Sequence, residues 1–172
     1  MLSRRNPLGY RNLLTWCQAN EIFDLTEKIC TSLPLRHPVT NQYLTDLKDQ
    51  MIRSARSVVR NIEEGYSRTS TKEYISFLGF SLGSLEELIG DLKYCQKGNL
   101  GEDKWVAKGI QMGVGEAKML EKQIKSLEEK TFQEKSVSQN DMIRRSVSNG
   151  RKKEQEFDQY LEDFLKDKNK DK

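Results

Sequence analysis

The chain has 172 residues, of which 35% are hydrophobic and 32% charged, and its formal net charge is +3. That length suits one core-forming domain with an appendage, and so small a net charge excludes a whole-molecule field for nucleic acid, leaving only local basic surface. No apolar run approaches the roughly 18 residues needed to span a bilayer, and no apolar signal core follows the basic N-terminus, so the expected location is the cytoplasm without membrane attachment.

Pro7, Pro34 and Pro38 are the only prolines, so nothing after residue 38 interrupts long helices. The first helical pattern covers residues 12–33: Leu13, Trp16, Ala19, Phe23, Thr26, Ile29, Cys30 and Leu33 recur at spacings of three and four. Pro34 and Pro38 end it, and residues 36–41 form a loop. The second helix is expected over 45–64. Leu47, Met51, Ile52, Ala55, Val58, Val59 and Ile62 take one side, and Arg53, Arg56 and Arg60 the opposite one, within about 60° of each other. Gly65 suits a left-handed cap after its end.

The third helix is expected over 71–96, with Ser70-Thr71-Lys72-Glu73 fitting a capping box. Its apolar positions are Tyr74, Phe77, Leu78, Leu82, Leu85, Leu88, Ile89, Leu92 and Cys95. Gly79, Gly83 and Gly90 lie inside it, each costing about 0.5–1 kcal/mol relative to alanine. Close approach of another backbone would offset that, either at a crossing within the subunit or between subunits. After a tight connection at 97–101, a fourth helix over 102–130 carries Val106, Ile110, Gly113, Ala117, Leu120, Ile124 and Leu127 in heptad spacing. Long helices with short connections imply antiparallel neighbours. The expected fold is therefore all-α: an up-and-down antiparallel four-helix bundle over 1–130.

Residues 131–153 are rich in Ser, Gln, Asn and charge and read as a flexible polar linker. Residues 154–172 read as a short amphipathic helix with a charged tail. Phe157, Tyr160, Leu161 and Phe164 form its apolar side and are candidates for binding a partner or a neighbouring subunit, because so short a helix is not stable alone.

Catalytic signals are weak. His37 is the only histidine and no neighbouring residue suggests an oriented relay partner. Glu63-Glu64 and Glu86-Glu87 are adjacent pairs that point about 100° apart on a helix. There is no E-x-x-H of the di-iron bundle type. Gly109, Gly113 and Gly115 do not follow a strand, as a phosphate-binding loop requires. Ser81 and Ser84 have no base beside them and are explained by helix packing. Cys17, Cys30 and Cys95 form no framework and read as small core residues. No catalytic residue, metal site or cofactor is expected. Arg53, Arg56 and Arg60, extended by Arg68 and Lys72, remain as a basic stripe suited to phosphate. Ion pairs from Asp49 to Arg53 and from Glu64 to Arg60 would explain the same charges as ordinary helix surface.

Tyr10-Arg11-Asn12-Leu13 with Trp16, Gln18 and Ala19 resembles the opening helix of the bacterial four-helix bundle proteins encoded in 23S rRNA intervening sequences. The run Gln50-Met51-Ile52-Arg53-Ser54-Ala55-Arg56-Ser57-Val58-Val59-Arg60-Asn61-Ile62-Glu63-Glu64-Gly65 is a stronger match. It continues through Arg68, Ser70, Glu73, Phe77-Leu78 and Leu82-Gly83-Ser84-Leu85-Glu86-Glu87-Leu88, close to the family's N-I-A-E-G and G-S-x-x-E-L. Glu63 departs from the usual alanine, and residues 131–172 have no counterpart. The resemblance, over residues 10–130, implies a bundle that assembles into a ring, a homopentamer. The related accessory protein of diversity-generating retroelements looks like the same bundle, and there the partners are nucleic acid and a reverse transcriptase. The resemblance thus points to RNA or DNA at Arg53, Arg56, Arg60 and Arg68, with Asn61 and Gly65 structural. The alternative is a protein-interaction scaffold.

Overall fold

A computed structural model describes residues 8–133. A 3-10 turn, Gly9–Asn12, precedes α1, Leu14–Ser32; α2 is Thr45–Ser67 and α3 is Thr71–Lys97. A fourth helix, α4, covers 103–133. There is no strand among the described residues, only one isolated bridge between Arg36 and Tyr43 in the α1–α2 connection. The chain divides into two compact units, 1–128 and 129–172. The core belongs to the first, and the described part of the second, 129–133, is helical. The linker and fifth helix expected from 131 onward lie, beyond residue 133, outside the described residues.

The helices pack on one another through the apolar positions that the periodicity marks. Ala19, Ile22 and Ile29 of α1, Met51, Ala55, Val58 and Ile62 of α2, Leu78, Leu85, Leu88 and Leu92 of α3, and Val106 and Leu120 of α4 are buried in a single core cluster. Polar bonds cross between the helices. The Trp16 indole donates to Glu63 Oε1 at 2.9 Å, so the residue that departs from the family pattern ties α1 to α2. Ser81 Oγ donates to the carbonyl of Val58 at 2.9 Å. Thr15 Oγ1 donates to Gln123 Oε1 at 3.1 Å, and Gln123 Nε2 donates to the Tyr74 hydroxyl at 2.7 Å.

Several local expectations are corrected. Asn12 lies in the 3-10 turn, and extended Leu13 separates that turn from α1. Ser70 sits at the N-cap of α3, but its side chain makes no capping bond. Gly65 is not a left-handed cap, because α2 continues to Ser67 and Gly65 is helical and buried. A Cβ there would lie 2.7 Å from Phe77 Cβ and 3.0 Å from the Tyr74 ring, so Gly65 is where α3 presses on α2. Asn61 donates to Ser57 Oγ at 3.1 Å rather than to a helix-end backbone group. Cys30 and Cys95 are buried as expected, but Cys17 is exposed.

The close approach assigned to the α3 glycines is also corrected within this chain. A Cβ added at Gly79, Gly83 or Gly90 would meet nothing within 4 Å. The tight crossing is made by α4 instead. A Cβ at Gly109 would lie 3.1 Å from Leu92 and 3.2 Å from Ile29, and one at Gly113 only 2.8 Å from Ile89. Both glycines share the buried face of α4 with Val106, Glu116 and Leu120.

His37 organises the α1–α2 connection. Its Nδ1 accepts the amides of Val39 at 3.1 Å and Thr40 at 3.2 Å, while its own amide donates to the Gln42 carbonyl. Arg36 stacks 3.6 Å from the Tyr43 ring centre. The imidazole thus supports a turn.

Candidate nucleic-acid interface

Helix α2 is amphipathic to the point that its outer face is almost entirely charged or hydroxylic. Arg53, Arg56 and Arg60 are all exposed. From Arg53 to Arg60 is seven residues, about 10 Å along the axis. Neither of the ion pairs that would neutralise them forms. Among the described residues the one ion pair joins Glu64 to Arg68, so Glu64 turns away from Arg60, and Asp49 does not engage Arg53. Arg56 lies 5.8 Å from the Phe23 ring centre, which holds its stem against α1 without neutralising its charge.

The structure separates Arg68 and Lys72 from that group. Arg68 is only half exposed, bonds Glu64 and stacks 4.7 Å from the Phe77 ring centre. Its charge is already partnered, so it is a poorer phosphate ligand than the three arginines before it. Lys72 is exposed in the first turn of α3, where the positive end of the helix dipole leaves its cation uncompensated.

Beside Arg53 the small side chains of α2 and α3 leave an open groove of about 430 Å3, lined by Gln50, Arg53, Ser54, Ser57, Ser84 and Glu87. Ser54 Oγ donates to Glu87 Oε2 at 3.2 Å, and Ser84 Oγ donates to Ser57 Oγ at 2.9 Å. The periodicity treats Ser54, Ser57 and Glu87 as surface and misses the groove. Its available signal was serine spaced by three on both helices, Ser54 and Ser57 against Ser81 and Ser84, since short hydroxylic side chains cannot fill the space between two rods.

Burial and charge shift four groups elsewhere. Burial raises the Asp91 carboxyl, with a smaller push from Glu87 one turn before it. Burial lifts the Cys30 and Cys95 thiols to about 11, which keeps them neutral and unreactive. Glu116 is fully buried in α4, neither carboxylate oxygen has a hydrogen-bond partner, and burial lifts it to about 8. Among the described residues no three His, Cys, Asp or Glu side chains could hold a metal ion together. No described helix is long and apolar enough to cross a membrane.

The family model described as 23S rRNA-intervening sequence protein matches residues 11–122. The chain belongs to this family. Comparison with curated proteins finds no match. The portion shared with the 23S rRNA-intervening sequence proteins contains α1, α2, α3, most of α4, the arginine face and the groove. The expected partner-binding residues Phe157, Tyr160, Leu161 and Phe164 fall outside both that portion and the described residues.

Proposed function

We propose that this protein is a non-enzymatic, oligomeric four-helix bundle that binds RNA through the outer face of α2, as an accessory subunit of a ribonucleoprotein or reverse transcriptase. The observation that carries this reading is the set of exposed guanidinium groups at Arg53, Arg56 and Arg60, with no carboxylate paired to them among the described residues. A guanidinium presents a rigid donor fork that matches phosphate, and three spaced along a helix can follow a phosphate backbone. The family's name, which places its members with 23S rRNA, favours RNA over DNA. Pairing of Val58 with Ser81 and of Ser54 with Glu87 favours an up-and-down order, since α2 numbering rises as α3 numbering falls.

Binding of a structured RNA should be measured across a salt series. Changing Arg53, Arg56 and Arg60 together to alanine is expected to weaken binding at low salt and to flatten the log–log salt dependence by roughly 0.7–0.9 per lost phosphate contact, or about 2–3 in total. An unchanged slope would remove the arginine face from the interface.

Oligomerisation in this reading uses α3. Gly79, Gly83 and Gly90 fall on one line of that helix and have open space before them. Three glycines that lower helix stability without a packing gain inside the subunit are accounted for by a second subunit's close approach. Gly83→Leu is expected to lower the mass measured by light scattering while the helical circular dichroism signal persists. A variant that keeps the parent mass would exclude this surface.

A further inference from the structure

The groove between α2 and α3 has a chemistry that phosphate binding does not use. A site for phosphate alone would gather cations, yet this groove sets a carboxylate, Glu87, beside Arg53. Ser54 holds that carboxylate through Oε2, and Oε1 makes no hydrogen bond among the described residues. Phe80, Ser84 and Glu87 share one face of α3 at spacings of four and three, and Phe80 is 60% exposed. The groove therefore offers an oriented pair of acceptors, hydroxyl groups and a guanidinium at its edge, and the exposed Phe80 ring, paired edge-to-face with Phe77 at 5.7 Å between centres, lies one turn from Ser84 and two from Glu87.

A carboxylate selects for two donors side by side and repels acceptors. Of the four RNA bases, only guanine presents adjacent donors, N1–H and the N2 amine, on its Watson–Crick edge. Adenine and cytosine each place a ring acceptor beside their amine, and uracil flanks its single N–H with two carbonyls. Sequence-specific readers of RNA commonly take unstacked bases, stacking them on aromatic rings and bonding their Watson–Crick edges. The volume of about 430 Å3 accommodates one such base with its solvent.

We infer that this groove is a subsite for a single unstacked guanine nucleotide of the bound RNA, with Glu87 accepting from N1–H and N2–H, Phe80 stacking on the base and Arg53 holding the adjacent phosphate. The inference rests on the RNA-binding reading and supplies the base preference that the arginine face lacks.

The test uses the full chain and a set of RNA hairpins identical except for one loop base: guanine, inosine, adenine, cytosine or uracil. Guanine is expected to bind about tenfold or more tightly than adenine, cytosine or uracil, with inosine between because it keeps N1–H and lacks the amine. Glu87→Gln replaces one acceptor with a donor, which matches the amine and ring nitrogen of adenine and of cytosine alike, so the preference should move from guanine toward those two bases. The salt slope reports the arginines' phosphate contacts separately from the base preference, and a thermal melt checks that Glu87→Gln is folded at the assay temperature. Equal affinity for all five hairpins would overturn the subsite while leaving RNA binding intact. No binding to any hairpin at low salt would overturn both. Glu87-dependent capture of an arginine-bearing peptide, without base discrimination, would assign the groove to a protein and overturn the subsite.

Discussion

Replacing Glu116 by leucine is expected to stabilise the protein by roughly 3 kcal/mol near pH 7, and by much less at pH 5. Its carboxyl has no exposure and no hydrogen-bond partner, and burial lifts its pKa from 4.5 to about 8. No charged neighbour contributes to that shift, so desolvation alone sets it. Below pH 4.5 the carboxyl is protonated in both the folded and the unfolded chain and does not bias folding. Between pH 4.5 and 8 the unfolded chain releases the proton while the folded one retains it, so stability falls as pH rises. Two and a half pH units at about 1.36 kcal/mol each give roughly 3 kcal/mol by pH 7. Thermal melts of parent and Glu116→Leu at half-unit steps from pH 5 to 8 check this. Glu116→Gln separates charge from shape, because a neutral amide cannot titrate and should flatten the same pH window. Parallel profiles for the parent and Glu116→Gln would show that Glu116 does not set the slope.

Glu116 also shows why part of the fold was legible in the sequence and part was not. Apolar residues at helical spacing locate all four rods, because a helix that buries one face must repeat its apolar side chains. The same count passes over a buried residue that is not apolar. In α4 the heptad template selects Ile110 and Ala117, which are only half-buried, whereas the helix places Gly109 and Glu116 inside. The buried positions 106, 109, 113, 116 and 120 keep the same seven-residue repeat with the three- and four-residue steps exchanged, and the template takes Ile110 and Ala117 only because Gly109 and Glu116 are not apolar by type. In α1, Ile22 and Leu25 were missed for a related reason: Phe23 is more hydrophobic by type, but it lies at the rim beside Arg56. At the candidate site the sequence locates the arginine face through its placement opposite the apolar one. Which charges are already partnered depends on side-chain conformation, as Glu64 reaching Arg68 rather than Arg60 illustrates, and spacing alone cannot distinguish two carboxylate–arginine pairs that are both four residues apart.

Gly65 permits the sharpest separation between a local and a tertiary reading of one residue. A glycine that caps a helix with left-handed backbone tolerates asparagine well and alanine at a cost of about 1 kcal/mol. In the structure Gly65 is buried within α2, and its missing side chain is what allows α3 to approach. A methyl group at 2.7 Å from Phe77 Cβ meets an atom fixed to the backbone of α3, so rotation of a side chain cannot relieve the overlap. The Tyr74 ring at 3.0 Å blocks a second direction, and the connection between Arg68 and Ser70 is too short to let the start of α3 swing away. Alanine at a helical position would ordinarily gain about 1 kcal/mol over glycine, but overpacking of this kind costs about 1–3 kcal/mol and occasionally more. Gly65→Ala is therefore expected to lose about 1 kcal/mol net in chemical denaturation, and Gly65→Asn, with its larger side chain and no propensity gain of that size, to lose more. The order of the two variants discriminates between the readings: asparagine milder than alanine identifies a left-handed cap, and asparagine worse than alanine identifies a packed crossing.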